Sequence, residues 1–359
     1  MKKKYIKILH VVGARPNFMK VAPVMRAVSK YKRFKQILVH TGQHYSANMS
    51  DVFFQQLDLP KPDYSLGVGS GTHTFQTAQV MIRFEKVVDH EKPSLVIVYG
   101  DVNSTVAAAL VCAKKGIKIG HVEAGLRSFD REMPEETNRI LTDHLCQYLF
   151  TPSLDGNQNL IKEGISAKKI FFVGNVMIDT LVYLEPKLEK PKIEGLSEKY
   201  VLVTLHRPSN VDDSQRLKFI FKELVRVSKF FQIIFPVHPR TKERLEKINP
   251  SLLRKKQILF TDPLGYVEFL SLEKNAVAVL TDSGGVQEET TYLGIPCFTL
   301  RDNTERPITL TIGTNHLLGS RPKELFFHLM KHKKRVAKIP ALWDGKAAGR
   351  IANVLNQVI

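Results

Sequence analysis

Residues 95–139 read LVIVYGDVNSTVAAALVCAKKGIKIGHVEAGLRSFDREMPEETNR. Leu95 to Tyr99 is an unbroken apolar run bounded by Pro93 and Gly100, the pattern of a strand covered on both faces of a parallel sheet. Asp101 stands just past its end. Ser104 or Thr105 can cap the helix that follows, whose Ala-rich body extends to about Lys115, and Ile117 to Val122 reads as the next strand with Glu123 at its exit. A strand-helix-strand crossover makes its strands parallel. Asp101 and Glu123 therefore leave the same carboxyl edge, where open α/β sheets bind ligands. Glu135 and Glu136 come next behind Pro134, which suits the first position of another helix. Each carboxylate alone has a structural explanation, since an Asp can cap a helix and Glu123 can pair with Arg127 four residues on. The cluster as a whole exceeds what capping explains and points to acid/base chemistry.

The same alternation runs outward in both directions. Ile6 to Val12 is a first strand that enters Gly13-Ala14-Arg15-Pro16, and Arg15 with Lys20 stands at the start of a helix, an arrangement suited to an anion. The dinucleotide pattern G-x-G-x-x-G is missing there. Residues 36–44 form a second strand ending in Gln43 and His44, and the Pro- and Gly-rich stretch 58–70 reads as a mobile loop. After Arg139 the chain alternates again as far as Gly174-Asn175, and the charged, Pro-containing stretch 184–199 suits a connection between domains. In the second half, strands at 200–205, 232–237 and 276–280 end in His206-Arg207, His238-Pro239-Arg240 and TDSGG. The glycines of TDSGGVQEET let backbone amides approach a ligand, and a helix starting there adds its positive end, so a phosphate site is expected. Glu288 and Glu289 follow in what reads as the first turn, and Arg306 supplies a cation further on.

A chain of 359 residues with 43% hydrophobic side chains suits two globular domains and excludes global disorder. The net charge of +18 is spread over scattered lysines, without a nucleic-acid motif, and reads as a solvated surface with some attraction for phosphates. Cys112, Cys146 and Cys297 are far apart in apolar runs, which predicts buried thiols rather than a disulfide framework or zinc site. No run approaches the roughly 20 apolar residues of a membrane helix. The N-terminus reads as a strand rather than a signal peptide, so a soluble, cytoplasmic protein is expected.

The strings YGDVNST, HVEAGLRS and PEETNR, followed by HRPSN, TDSGGVQEE and RDNTERP, resemble the non-hydrolysing UDP-N-acetylglucosamine 2-epimerase family over nearly the whole chain. The resemblance implies an α/β fold of two Rossmann-like domains facing a central cleft, the glycosyltransferase-B architecture. Residues 1–173 would carry the acid/base cluster and be joined by a terminal helix at 346–359, and residues 174–345 would bind UDP. It implies Arg15 and Lys20 at the nucleotide-sugar phosphates, Ser283, Gly284, Gly285 and Arg306 at the diphosphate, and Glu289 at the ribose hydroxyls. Arg139 is counted with the substrate-binding group. Gln43, His44, Glu136 and Arg207 resemble positions where bacterial members bind a second substrate molecule. The family commonly has HRRE-N where this chain has His206-Arg207-Pro208-Ser209-Asn210. The expected partners are a UDP-sugar and a second copy of the chain in a homodimer, with no nucleic acid and no membrane.

Inversion at C2 of such a sugar cannot proceed through an enolate, because C2 does not adjoin a carbonyl. Oxidation would need a dinucleotide, for which the chain has no fingerprint. Elimination of UDP across C1 and C2, with reprotonation on the other face and re-addition, remains. Asp101 and Glu123 would transfer protons in the elimination, Glu135 would reprotonate, and His206 would attend the leaving phosphate, the first three roles being interchangeable. This scheme requires neither metal nor cofactor. The alternatives are a related UDP-2-acetamido sugar as substrate (UDP-N-acetylgalactosamine or a diacetamido uronic acid), a glycosyltransferase of the same architecture, which would not need the first-domain carboxylates, and a nucleotide-sugar binding module.

Overall fold

Apolar runs without polar alternation are stable in a sheet only when both of its faces are covered. Leu95–Tyr99 is buried at every position, and so is every residue of Ala278–Thr281. These two runs are central strands of two separate parallel sheets. The computed structural model describes residues 5–43, 54–237, 239–248, 256–319, 324–331 and 338–359. The chain divides into two units, 1–184 with 341–359 and 185–340.

Among the described residues, the first unit holds seven strands: β1 (Ile6–Val12), β2 (Phe34–His40), β3 (Tyr64–Ser65), β4 (Leu95–Tyr99), β5 (Lys118–Val122), β6 (Tyr148–Thr151) and β7 (Ile170–Phe172). Their order is β3-β2-β1-β4-β5-β6-β7, and all the pairings are parallel. The order reverses direction between β1 and β4, which pair through Val11 and Val98, and a crevice for ligands opens at the carboxyl ends of strands at such a switch point. The GARP turn and Gly100-Asp101 leave the sheet there. The second unit repeats this plan with β8 (Tyr200–Thr204), β9 (Gln232–Pro236), β10 (Ile258–Thr261), β11 (Ala278–Thr281), β12 (Cys297–Thr299) and β13 (Asn315–Leu317). Their order is β10-β9-β8-β11-β12-β13, so the switch point lies between β8 and β11. His206 and the TDSGG string emerge side by side at that point. Each sheet carries its own apolar core, built around Leu9, Val96, Val98 and Phe84 in the first unit and Val201, Phe235, Leu280 and Phe298 in the second.

The division of the chain falls after Leu184 rather than at 173/174, and the returning segment starts at 341 rather than 346. The reason is packing. The helix Val176–Leu184 buries Val176, Ile178 and Leu181, and its Thr180 hydroxyl donates to the Met19 carbonyl of the helix Arg15–Val28. Asp179 accepts from the amides of Ala347 and Ala348 at 3.0 and 2.7 Å, capping the terminal helix Ala347–Val358. Trp343 is buried, and its ring nitrogen donates to the Pro152 carbonyl at 2.9 Å. Gly174 admits the Leu342 carbonyl so closely that a Cβ would stand 2.1 Å from it.

Two local expectations also change. The stretch 58–70 is not a free loop. Tyr64–Ser65 joins β2 as an edge strand, and amides from Asp63 to Gly69 continue the ladder along residues 38–42. The helix after β4 spans Asn103–Lys114, so Ser104 and Thr105 lie inside its first turn and Val102 holds the cap position.

Candidate active site

On the first unit, Asp101 and Glu123 are each matched to a buried cation. Arg139, in the helix Pro134–Leu145, donates to Asp101 Oδ2 at 2.5 Å. Lys20 forms an ion pair with Glu123, and both side chains are buried. Gly100 sits where these groups converge: a Cβ there would lie 2.7 Å from Lys20 Nζ and 3.8 Å from Glu123 Oε2, and its φ of +62° already favours glycine. Glu123 itself has a φ of +77°, a backbone strain on the order of 1–3 kcal/mol for a residue with a Cβ. The strain is held by the ion pair and by the hydrogen bond from the Glu123 amide to the Phe150 carbonyl at 3.1 Å. Asn138 adds a donor to the Asp101 carbonyl at 2.9 Å.

The loops that carry these two carboxylates are tied together from beneath. His121, fully buried in β5, places Nε2 2.8 Å from the Gly100 carbonyl and Nδ1 2.6 Å from Asp143 Oδ1. Asp143 also accepts from the Gly125 amide at 3.1 Å and pairs with Arg127 at 2.8 Å. Burial alone would raise the Asp143 carboxyl, but His121 and Arg127 outweigh it and hold the group below its usual range. Arg127 is therefore engaged with Asp143 and Glu163, while Glu123 pairs with Lys20. The pairing of Glu123 with Arg127 that their spacing allows is thus replaced by a pairing with Lys20.

On the second unit, Asp282 is fully buried at the end of β11. It accepts from the amides of His206 and Arg207 at 3.1 and 3.0 Å and from Asn210 Nδ2 at 3.0 Å. Its Oδ1 lies 2.8 Å from His206 Nδ1, which leaves a largely exposed imidazole oriented by a buried carboxylate. These donors outweigh burial and hold Asp282 below the usual carboxylate range. The helix Gly284–Leu293 starts at the next residues with Ser283 as its cap. Arg306 lies against its first turn. A Cβ on Gly284 would stand 2.3 Å from the guanidinium, which itself contacts Glu288 at 2.7 Å and Glu305 at 2.5 Å. Glu288 and Glu289 fall beyond the first turn and are buried, so complementation of the helix dipole does not account for them. Glu289 accepts from the Tyr266 hydroxyl at 2.6 Å, and burial pushes its carboxyl up to about 7.

The expected residues thus fall into two groups. Asp101, Glu123, Glu135, Glu136 and Arg139 surround the carboxyl edge of the first sheet, with Glu135 half-exposed on the first helical turn. Lys20 is buried and paired with Glu123, and Arg15 is exposed. Glu136 is buried and accepts from the amides of Ser128 and Phe129 and from Arg139. Gln43 is buried and accepts from the Ser104 amide and hydroxyl. Arg207 Nε donates to the Asp282 carbonyl. His44 lies outside the described residues. His206, Ser283, Gly284, Gly285, Glu289 and Arg306 belong to the second unit. Asp282, His121, Asp143 and Tyr266 were given no role in the sequence reading. Asp282 stood inside the quoted TDSGG string, while His121 was hidden in a strand run.

Residues 26–356 match the family model for UDP-N-acetylglucosamine 2-epimerase. A UDP-N-acetylglucosamine 2-epimerase of Methanocaldococcus jannaschii is 46% identical over 98% of this chain and 99% of its own length. A UDP-2,3-diacetamido-2,3-dideoxy-D-glucuronate 2-epimerase of Pseudomonas aeruginosa is 43% identical over 88% of this chain and 89% of its own. The crystal structure of the M. jannaschii enzyme in complex with UDP-GlcNAc and UDP superposes with a TM-score of 0.89, at 45% identity over 98% of this chain and all of the other.

Proposed function

The chain belongs to the UDP-N-acetylglucosamine 2-epimerase family, and from that premise we propose that it interconverts UDP-N-acetylglucosamine and UDP-N-acetylmannosamine by eliminating and re-adding UDP. A base takes the C2 proton as the C1–O bond breaks and UDP leaves with the bonding electrons. The unsaturated sugar is reprotonated at C2 on the opposite face, and UDP adds back at C1. Asp101 and Glu123 serve the proton transfers of elimination and Glu135 the opposite face, with these three roles interchangeable. His206, turned by Asp282, donates to the departing phosphate, a stabilisation that grows as charge develops. Ser283, Gly284, Gly285 and Arg306 hold the diphosphate and Glu289 the ribose hydroxyls. Arg15 contributes at the phosphates, and Lys20 acts through Glu123.

The observation that carries the reading is the pair of carboxylates at the first switch point, each held by its own buried cation on a strained or clamped backbone. A binding module has no use for such a pair. The 43% identity to a diacetamido-glucuronate epimerase favours a UDP-diacetamido uronic acid as the second substrate to test. Proton NMR in heavy water, without added nicotinamide, tests both: deuterium should enter C2 of one of these sugars. No exchange with any UDP-2-acetamido sugar, together with sugar transfer to an acceptor, would instead mark a glycosyltransferase.

We further read the protein as a cytoplasmic homodimer. The three cysteines are free and buried, which suits a reducing compartment, and no helix among the described residues is long and apolar enough to cross a membrane. Phe75 and Ile82 of the helix His73–Glu91 and Leu141 of the helix Pro134–Leu145 are exposed. They lie on the two helices that frame an open cavity of about 510 Å³ lined by His73, Thr77, Met81, Pro134 and Asn138. Such a face suits a second copy, and light scattering of the purified protein would report its mass.

A further inference from the structure

We propose that Gln287 is a positioning residue of the diphosphate half-site: its buried carboxamide ties the turn at Ser283 to the loop 304–306 and so sets the Arg306 guanidinium against the first turn of the helix Gly284–Leu293. The proposal rests on the reading of Ser283, Gly284, Gly285 and Arg306 given above.

Gln287 lies on the helix Gly284–Leu293, one turn beyond its cap, and is fully buried. A buried carboxamide is tolerated only when both of its ends are matched. Its Oε1 accepts from the Thr304 hydroxyl at 2.7 Å and from Asn315 Nδ2 at 2.9 Å, and its Nε2 donates to the Ser283 carbonyl at 3.2 Å. These partners fix the orientation of the amide. Turned over, it would set Nε2 against Asn315 Nδ2 and Oε1 against the Ser283 carbonyl, donor against donor and acceptor against acceptor. Asn315 opens β13, and its Oδ1 accepts from the Thr299 hydroxyl of β12 at 2.6 Å, which roots the network in the sheet.

The same contacts continue into the segment that carries Arg306. The Thr304 hydroxyl that donates to Gln287 accepts from the Arg306 amide at 3.1 Å. Asn315 Nδ2 also donates to the Thr309 hydroxyl at 3.1 Å, which in turn donates to the Arg306 carbonyl at 2.8 Å. The N–H and the C=O of Arg306 are thus both held by side chains that converge on Gln287, while Glu288 at 2.7 Å and Glu305 at 2.5 Å hold its guanidinium. Being enclosed, Gln287 cannot meet a phosphate and acts through Arg306. A cation fixed before its ligand arrives loses less freedom on binding, so the network should appear as affinity for the phosphates.

Titration calorimetry of the full chain with UDP, and ligand-observed NMR with uridine, which lacks the phosphates, test this. Gln287→Met removes the carboxamide at similar bulk. It should weaken UDP binding about tenfold and leave uridine within about twofold of wild type. In an Arg306→Ala background the same substitution should weaken UDP by no more than about threefold, because the residue it positions is gone. Unchanged UDP affinity, an equal loss for UDP and uridine, or a larger loss in the Arg306→Ala background would overturn the proposal. If Gln287→Met does not fold, Thr304→Val carries the test, since it deletes the hydroxyl between Gln287 and the Arg306 amide and keeps the shape. UDP should then bind severalfold more weakly with uridine unchanged, and a wild-type UDP affinity overturns the proposal. Arg306→Ala separates the two readings. If by itself it leaves UDP affinity unchanged, the diphosphate assignment fails; if it weakens UDP binding while Gln287→Met does not, only the role of Gln287 fails.

Discussion

Replacing Asp282 with Asn keeps the shape of the side chain and removes its charge. An amide NH₂ in place of Oδ2 would face the Arg207 amide at 3.0 Å and Asn210 Nδ2 at 3.0 Å, setting donor against donor at two buried positions. In place of Oδ1 it would meet His206 Nδ1, 2.8 Å away, where a neutral imidazole can accept by moving its proton to Nε2, and the His206 amide, 3.1 Å away, which still reaches Oδ2 at 3.2 Å. The second arrangement costs less. It turns the remaining charge-assisted hydrogen bonds into neutral ones, a loss of about 1 kcal/mol each, so roughly 2–4 kcal/mol of stability in all. It also withdraws the carboxylate that orients the imidazole. Turnover should fall by about 10²-fold, the contribution of one positioned acid. The stability difference should depend on pH. Asp282 is held below its ordinary value, so its contribution is present above about 3.8, the unfolded value, and disappears as pH falls through the folded one. Thermal melts of wild type and variant should then converge in acid. Epimerisation rates for Asp282→Asn, His206→Ala and the double variant complete the test. If the two residues act as a unit, the double variant is no slower than the slower single one. A folded Asp282→Asn protein with wild-type rate and pH profile would refute the assignment.

Three further outcomes follow from the same geometry. Asp101→Asn should retain UDP binding while C2 exchange falls by roughly 10²-fold, whereas Glu289→Gln should weaken UDP binding itself; calorimetry showing the reverse would exchange the roles of the two units. Gly284→Ala puts a methyl 2.3 Å from the buried Arg306 guanidinium and should weaken UDP binding about tenfold with the fold intact, near 1.4 kcal/mol; unchanged affinity would remove Arg306 from the diphosphate site. Burial raises Asp179 to about 6, so its contribution to stability is complete below about 3.8 and is lost as pH rises through about 6. Asp179→Asn should flatten that part of the melting-temperature profile, and parallel profiles would contradict it.

The repeated parallel sheets were legible because fully buried strands leave a local signature: Leu95–Tyr99 and Ala278–Leu280 carry no polar alternation. Asp101, Glu123 and His206 were legible for a related reason, since a polar residue directly after such a run must emerge at the carboxyl edge of the sheet. The boundary near 184 was less so. Val176–Leu184 follows a Gly-Asn pair that looks like an ending, and only its packing on the helix Arg15–Val28 assigns it to the first unit.

From local order in the chain, then, came the fold class, the edge on which the polar groups stand and the family to which the motifs belong. Tertiary structure alone decided which charges meet. Lys20 and Glu123 are remote in sequence yet form one buried pair, and Arg127, four residues from Glu123, turns instead to Asp143 and Glu163. Asp282 orients His206 from a neighbouring strand, and the Tyr266 hydroxyl reaches Glu289 from another helix. The Lys20–Glu123 and Asp282–His206 pairings depend on strand order across a switch point. Periodicity along the chain specifies which face a residue takes but carries no information about its neighbour in the next strand.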